Sequence, residues 1–308
     1  MKKIITSTVL SFIVAMALAI PAKRNWITVT QSDGTTLKVC LTGDEHMHFY
    51  VTSDNVPLYK DAENRFCYLK IEDGKLVSSN ILAHEAERRT AKESTAITDI
   101  TNISAYAEKK LTTRNANTMK EIKRLPGKDD KSVFQGKKKA PVILAYFSDK
   151  SFSKDDESIK AFYNDVLNKE GFSQYGAAGS VHDYFSVMSR GAFDLSFDVI
   201  GPVKVSKSAT YYGGPSAIMG GTDHIGEFIT EAIKNADAQY DIDRKGGVDF
   251  TKYDWDGDGI VDQVFVLYAG QGENTCPDDI NLIWPQEGTL GSIGMSQQPF
   301  EMDGVWVQ

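Results

Sequence analysis

Apolar and polar positions follow two different rhythms along this chain. In the first part the period is two: Trp26, Thr28 and Thr30 lead to the turn residues Ser32-Asp33-Gly34, and Leu37-Lys38-Val39-Cys40-Leu41 alternates. Further extended pieces run through His48-Phe49-Tyr50-Val51, Val56-Pro57-Leu58-Tyr59 and Phe66-Cys67-Tyr68-Leu69, with a turn at Asp73-Gly74. Short alternating runs separated by polar turns predict a small antiparallel sheet.

Beyond residue 140 the rhythm changes. Ala140 to Phe147 is a strand-length apolar run. Ser153-x-x-Asp156 is a helix cap pattern, followed by a stripe of Ile159, Phe162, Tyr163, Val166 and Leu167 that ends before Gly171. Ser180-Val181-His182-Asp183 repeats the cap, with Val181, Tyr184, Phe185 and Met188 on one helical face stopping near Gly191. Phe193, Leu195, Phe197 and Val199 alternate as a strand, and Gly201-Pro202 is expected to turn the chain into Val203-Lys204-Val205. Asp223 is placed to cap a third helix with Ile225, Phe228, Ile229, Ala232, Ile233 and Ala236 inward. Val264 to Ala269 then reads as a buried strand. Strands alternating with helices predict a mixed α/β fold with helices packed on a sheet. Val305-Trp306-Val307-Gln308 looks like a strand that has only begun, as though the fold continued.

Charge divides the same two parts. Residues 88–139 hold 14 Lys or Arg against 6 Asp or Glu, a local +8 that leaves -16 elsewhere in a chain of formal charge -8. That balance argues against nucleic-acid binding. A share of 41% hydrophobic residues over 308 positions is enough for two cores. The basic stretch has few large apolar groups, so it reads as a linker, with a weak helix at residues 105–124 and an exposed, protease-sensitive hinge at Lys137-Lys138-Lys139. At the start, Lys2 and Lys3 precede an apolar run from Val9 to Leu18 and small residues at Ala17-Leu18-Ala19, the pattern of a secretory signal peptide over residues 1–19. Nothing later is apolar for long enough to anchor the chain in a membrane, so export without a stable anchor is expected. Cys40 and Cys67 could form one disulfide or remain free thiols; Cys276 has no evident partner.

The chemistry concentrates in Asp254-Trp255-Asp256-Gly257-Asp258-Gly259-Ile260-Val261-Asp262. Asp254, Asp256 and Asp258 stand at positions one, three and five of a calcium loop, the Ile260 carbonyl at seven and Asp262 at nine, with Phe265 where a full EF-hand has its bidentate Glu. Hard oxygen ligands at this density point to Ca²⁺ rather than Mg²⁺. The plain alternative is an acidic surface turn. Other candidates are weaker: His46 and His48 read as edge-strand residues, His84-Glu85 lacks a second helical histidine, and His182 reads as a cap-region residue rather than a base. Gly213-Gly214-Pro215 and Gly220-Gly221 lack the lysine and hydroxyl of a phosphate loop.

Several of these stretches together carry a family resemblance. They are Gly179-Ser180-Val181-His182-Asp183-Tyr184-Phe185, Ser189-x-Gly191-x-Phe193, Phe197-Asp198-Val199-x-Gly201-Pro202, Tyr211-Tyr212-Gly213, the segment from Asp249-Phe250 through Tyr253 to Asp262, Tyr268-Ala269-Gly270 and Ile283-Trp284-Pro285. They resemble the secreted M6 metallopeptidases, the immune inhibitor A-like enzymes, Bacteroides-type members in particular. The resemblance implies a zinc endopeptidase acting on protein or peptide substrates, with an amino-terminal prosegment held in cis against a metzincin-like catalytic domain. It divides the chain into a signal peptide at 1–19, a β-rich prodomain at 20–87, a basic activation segment at 88–139 and the amino-terminal part of the peptidase domain from 140 to 308. In similar sequences a histidine often follows Trp-Pro, where this chain has Gln286. The family's H-E-x-x-H element, whose histidines hold Zn²⁺ and whose Glu activates water, is absent from these residues: the histidines are His46, His48, His84, His182 and His224. It is expected shortly after Gln308, so residues 1–308 are expected to be inactive alone. The competing expectation is a noncatalytic, calcium-stabilised secreted binding module or pseudoprotease.

Overall fold

The computed structural model describes residues 21–44, 47–61, 63–73, 75–98, 131–214, 224–244, 248–276, 281–290 and 298–308. The expected signal peptide, the weak helix at 105–124, His46, the Asp223 cap and Gly220-Gly221 lie outside them.

The alternating amino-terminal part folds as an antiparallel meander of β1 (Trp26–Thr30), β2 (Thr36–Gly43), β3 (His48–Thr52), β4 (Pro57–Lys60), β5 (Phe66–Glu72) and β6 (Lys75–Leu82), each strand pairing with the next. Leu37, Val39, Leu41, Tyr50, Leu58, Phe66, Tyr68 and Leu76 form its core. Helix α1 (Ala91–Thr98) follows. Two polar groups hold the ends of this meander together. Buried Gln31, just after β1, donates to the Phe66 and Ala83 carbonyls at 2.8 and 2.9 Å and accepts from the Phe66 amide at 3.1 Å. His84, after β6, places Nδ1 2.8 Å from Glu93 and Nε2 2.8 Å from Asp33. Cys40 and Cys67 are free, as is Cys276. Strands β3 and β4 separate Cys40 on β2 from Cys67 on β5, so no bridge forms.

The second part is built on β7 (Gly136–Tyr146), flanked in parallel by β8 (Phe193–Lys204) and β9 (Phe265–Tyr268). Its apolar run has no polar side because both faces are covered. Ala140, Val142 and Leu144 face α2 (Asp156–Asn168) and α3 (Val181–Met188), while Ile143, Ala145 and Phe147 face α5 (Ile225–Arg244), with α4 (Ala209–Tyr212) beside it. This is a mixed α/β layer preceded by a β-rich unit, as the patterning implied. Among the described residues no helix is long and apolar enough to cross a membrane.

Several local expectations change in the folded chain. Helix α2 is capped by Asp155, whose carboxylate accepts from the Ser158 amide at 2.9 Å. Ser153 stands two positions before that cap. Gly201-Pro202 does not turn the chain; it lies inside β8 at a register shift against Ile143 and Ala145. That irregularity moves the apolar set from Phe193, Leu195, Phe197 and Val199 on one face to Ile200, Val203 and Val205 on the other. A side chain at Gly201 would meet the Leu144 carbonyl at 2.7 Å, so glycine is required there. In α3, Val181 and Phe185 pack inward but Tyr184 and Met188 are exposed. The His182 ring bonds the Leu195 carbonyl at 2.9 Å. The Lys137-Lys138-Lys139 run is not a hinge: it belongs to β7 and pairs with Asp194, Leu195 and Ser196. β9 is half-buried at the sheet edge among the described strands rather than fully buried. The last residues form a hairpin, β10 (Phe300–Met302) with β11 (Val305–Val307), turning through Asp303 and Gly304 at φ 53° and 84°.

Gln31→Leu strands buried backbone groups and should lower the stability of the meander by on the order of 2 kcal/mol, read as a urea midpoint shift with unchanged slope. Bonds from both ring nitrogens to carboxylates outweigh burial and raise the His84 pKa above its ordinary value. A raised pKa means stability is full below about 6.5 and is lost as pH rises through the folded value. Thermal melts of the wild type should therefore fall as pH rises above about 6.5, and His84→Gln should flatten that fall.

Candidate metal centre

The nine residues Asp254 to Asp262 connect a short 3₁₀ turn, Phe250–Tyr253, to β9. The turn is started by Asp249, which accepts from the Thr251 amide at 3.2 Å, and by Asp303 of the terminal hairpin, which accepts from the Phe250 amide at 2.9 Å. From there the loop winds back on itself. Asp262 returns its amide to the Tyr253 carbonyl at 3.0 Å and its carboxylate to the Trp255 amide at 2.5 Å.

The backbone gathers around the first carboxylate. Asp254 accepts from the amides of Gly257 at 2.8 Å, Asp258 at 3.2 Å and Gly259 at 2.9 Å. Gly257 and Gly259 have φ of 77° and 82°, the left-handed region where a side chain would be strained. The outcome is that Asp254, Asp256 and Asp262 each bring a carboxylate oxygen within 4.8 Å of the others. Asp258 is not in that group, and its carboxylate accepts from the Ile260 amide at 2.9 Å instead. Buried Ile260 bridges to Trp306, and the flanking bonds from the Val261 amide to the Trp306 carbonyl and from the Trp306 amide to the Gly259 carbonyl tie the loop to β11. The donor set is all oxygen, which suits a hard divalent cation and not a soft one.

Lys138, Lys139, Asp198 and Tyr253 hold this loop on the sheet, a role not read from the sequence. Lys138 donates from Nζ to the Trp255 carbonyl at 2.6 Å, and the Trp255 indole donates to the Lys139 carbonyl at 2.6 Å. Asp198 of β8 accepts from Lys139 Nζ at 2.9 Å and from the Tyr253 hydroxyl at 3.2 Å. The start of β7 therefore clasps the acidic loop and brings a lysine ammonium to it. The polar positions of β8 and the lysine run were visible in the sequence; that they meet the loop follows from the parallel pairing.

The described histidines have other partners. His48 pairs with Glu273, His84 with Asp33 and Glu93, and His182 lies 3.6 Å from Asp194. His224 stacks on Tyr211 with centroids 4.4 Å apart. His48 is not an edge residue: β3 is an interior strand and the side chain is buried against Trp284. Among the described residues Asp254, Asp256 and Asp262 make the one group of three or more metal-ligating side chains, and it offers nothing of the imidazole set that a catalytic zinc takes.

Comparison with known proteins agrees with this architecture. The family model described as "Immune inhibitor A peptidase M6, catalytic domain" matches residues 134–287, from just before β7 to just after Trp284. The chain belongs to the M6 peptidase family. Curated relatives from two Vibrio cholerae serotype O1 strains, each named pre-pro-metalloprotease PrtV, are 25% identical over 223 residues. That match covers 59% of this chain and 23% of each relative, so the chain spans about a quarter of their length. The M6 match begins beside the strand that the lysine run starts, which places the clasp and the acidic loop inside the family's domain.

The bond inventory orders the carboxylates by structural weight. In chelator-treated protein, Asp254→Ala should cost on the order of 2 kcal/mol because three backbone amides lose their acceptor. Asp256→Ala should cost under about 1 kcal/mol, since Asp256 accepts from the Asp258 amide alone among the bonds shown. Paired urea titrations of the two variants check the ranking.

Proposed function

We propose that this chain is the amino-terminal portion of a secreted zinc-dependent endopeptidase made as a zymogen, and that its acidic loop holds a structural Ca²⁺. Membership of the M6 family and the metalloprotease naming of its relatives support proteolysis on protein or peptide substrates. The observation that carries the calcium reading is the convergence of Asp254, Asp256 and Asp262 within 4.8 Å. Like charges this close raise one another's cost of ionisation, and a divalent cation relieves it. The Ile260 carbonyl remains the proposed ligand at loop position seven. Asp258 remains the proposed ligand at loop position five.

Residues 1–308 contain no H-E-x-x-H, and the described side chains do not fit a catalytic zinc, so no catalytic step is assigned to them. The catalytic zinc site belongs, in this reading, to a part of the parent enzyme outside these residues. Residues 1–19 act as the export signal and residues 20–87 as the prosegment, with 88–139 joining it to the peptidase part. A maturation cut near Ala140 is expected in this reading; it would remove the first residues of β7 and their bonds to Trp255, which a cut before Gly136 would spare. The noncatalytic binding-module reading draws on the same lack of zinc ligands, and it fails if the parent gene encodes the zinc helix in frame.

Two measurements test the proposal. Isothermal titration of the purified chain should show Ca²⁺ uptake that Asp256→Asn weakens at least about tenfold, a loss of about 1.4 kcal/mol; heat-silent titration with unchanged melting refutes the calcium reading. Casein cleavage by residues 1–308 should stay at background with or without added zinc, whereas the full-length parent should cleave it and lose activity with a chelator.

A further inference from the structure

Among the described residues the amino-terminal meander meets the M6 part around Trp284. Trp284, from the peptidase part, is 5% exposed and completes the core that Leu37, Tyr50 and Phe66 build in the meander. The His48 ring of β3 lies flat on the Trp284 indole, with centroids 4.0 Å apart and planes 17° apart. His48 Nε2 is 3.1 Å from Glu273, both side chains being nearly inaccessible, and His48 Nδ1 is 3.0 Å from the Asp44 carbonyl. Beside them the Lys23 amide donates to the Asn274 carbonyl at 2.7 Å.

Both ring nitrogens of His48 thus face oxygen acceptors, and only the doubly protonated imidazolium can donate to both. A neutral ring must turn one lone pair toward either the Glu273 carboxylate or the Asp44 carbonyl. The charges facing it are anionic from both sides: Glu273 across the contact and Asp44 on its own side. An imidazolium also gains from stacking on an indole, and a neutral ring gains less. We propose that His48 is a protonation-dependent latch: as a cation it holds the amino-terminal unit on the Glu273 and Trp284 surface of the M6 part, and as a neutral ring it lets go. Burial by itself would lower the His48 pKa, but the bond to Glu273 and its charge outweigh that and raise it. The sign follows: the grip is full below about pH 6.5 and is lost as pH rises through the raised value. The inference rests on the amino-terminal unit being separable, as in the prosegment reading, and on no zinc chemistry.

The test uses the whole chain carrying a site-specific protease sequence inserted between residues 98 and 131. After cutting, the affinity between the two pieces is measured from pH 5.5 to 9 by sedimentation, with the His48 ring followed by NMR. The wild type should weaken at least about tenfold across the range, and the loss should track His48 deprotonation. In Glu273→Gln, whose altered residue lies outside the meander, the amide can serve a neutral ring as donor, so the affinity should change less than about threefold. His48→Gln should behave likewise if its meander gives the wild-type amide spectrum. An affinity indifferent to His48 titration, or an equal pH dependence in Glu273→Gln, overturns the latch. If the pieces part as expected while the parent enzyme cleaves casein equally well with them joined, the latch stands and the prosegment reading falls.

Discussion

A strand that is apolar on both faces must be covered on both faces, and in this chain that constraint falls on β7. With no polar side, Ala140 to Tyr146 cannot sit at a surface, so α2 and α3 close one face and α5 the other. The parallel neighbours follow from the crossovers that carry those helices. The irregularity at Gly201 lets β8 serve both layers in turn: its first half faces α2 and α3, and its second half faces α5. Gly201 is the residue that makes this switch sterically possible against the Leu144 carbonyl.

The acidic loop depends on that strand. A crowded run of carboxylates would spread apart if left in solvent, yet here backbone amides converge on Asp254 and the start of β7 takes hold of Trp255. Lys138 and Lys139 lie on neighbouring positions of the strand, so one reaches the loop carbonyl while the other reaches Asp198. The loop is therefore held in shape by its bonds to the sheet as well as by its own amides.

The contact between the two units has a different character. It combines an aromatic surface, which is indifferent to pH, with one buried charged pair, which is not. A buried pair is costly when one partner loses its charge, because the other is left without compensation. An interface of this kind is stable under one condition and weak under another, which distinguishes it from the wholly apolar packing within each layer.

How much of this was legible in the sequence differs by level. Periodicity located strands β1 to β5 of the meander, helices α2, α3 and α5 and the strands β7, β8 and β9, because period two and period 3.6 report which side of an element is buried. The spacing of Asp254, Asp256 and Asp262 pointed to their convergence, since a loop with glycines at 257 and 259 has few ways to run. Local pattern could not tell that Asp258 stays out of the converging group, its carboxylate taking the Ile260 amide instead. It also could not give the partners of Lys138, Trp255, Asp198, His48 or Glu273, which lie tens to hundreds of residues apart along the chain. Those pairings exist only once strands from distant segments are laid side by side. The sequence by itself determined which elements form and which loop is charged; the tertiary structure alone decided what each charge meets, because contact across such separations depends on strand order and not on spacing.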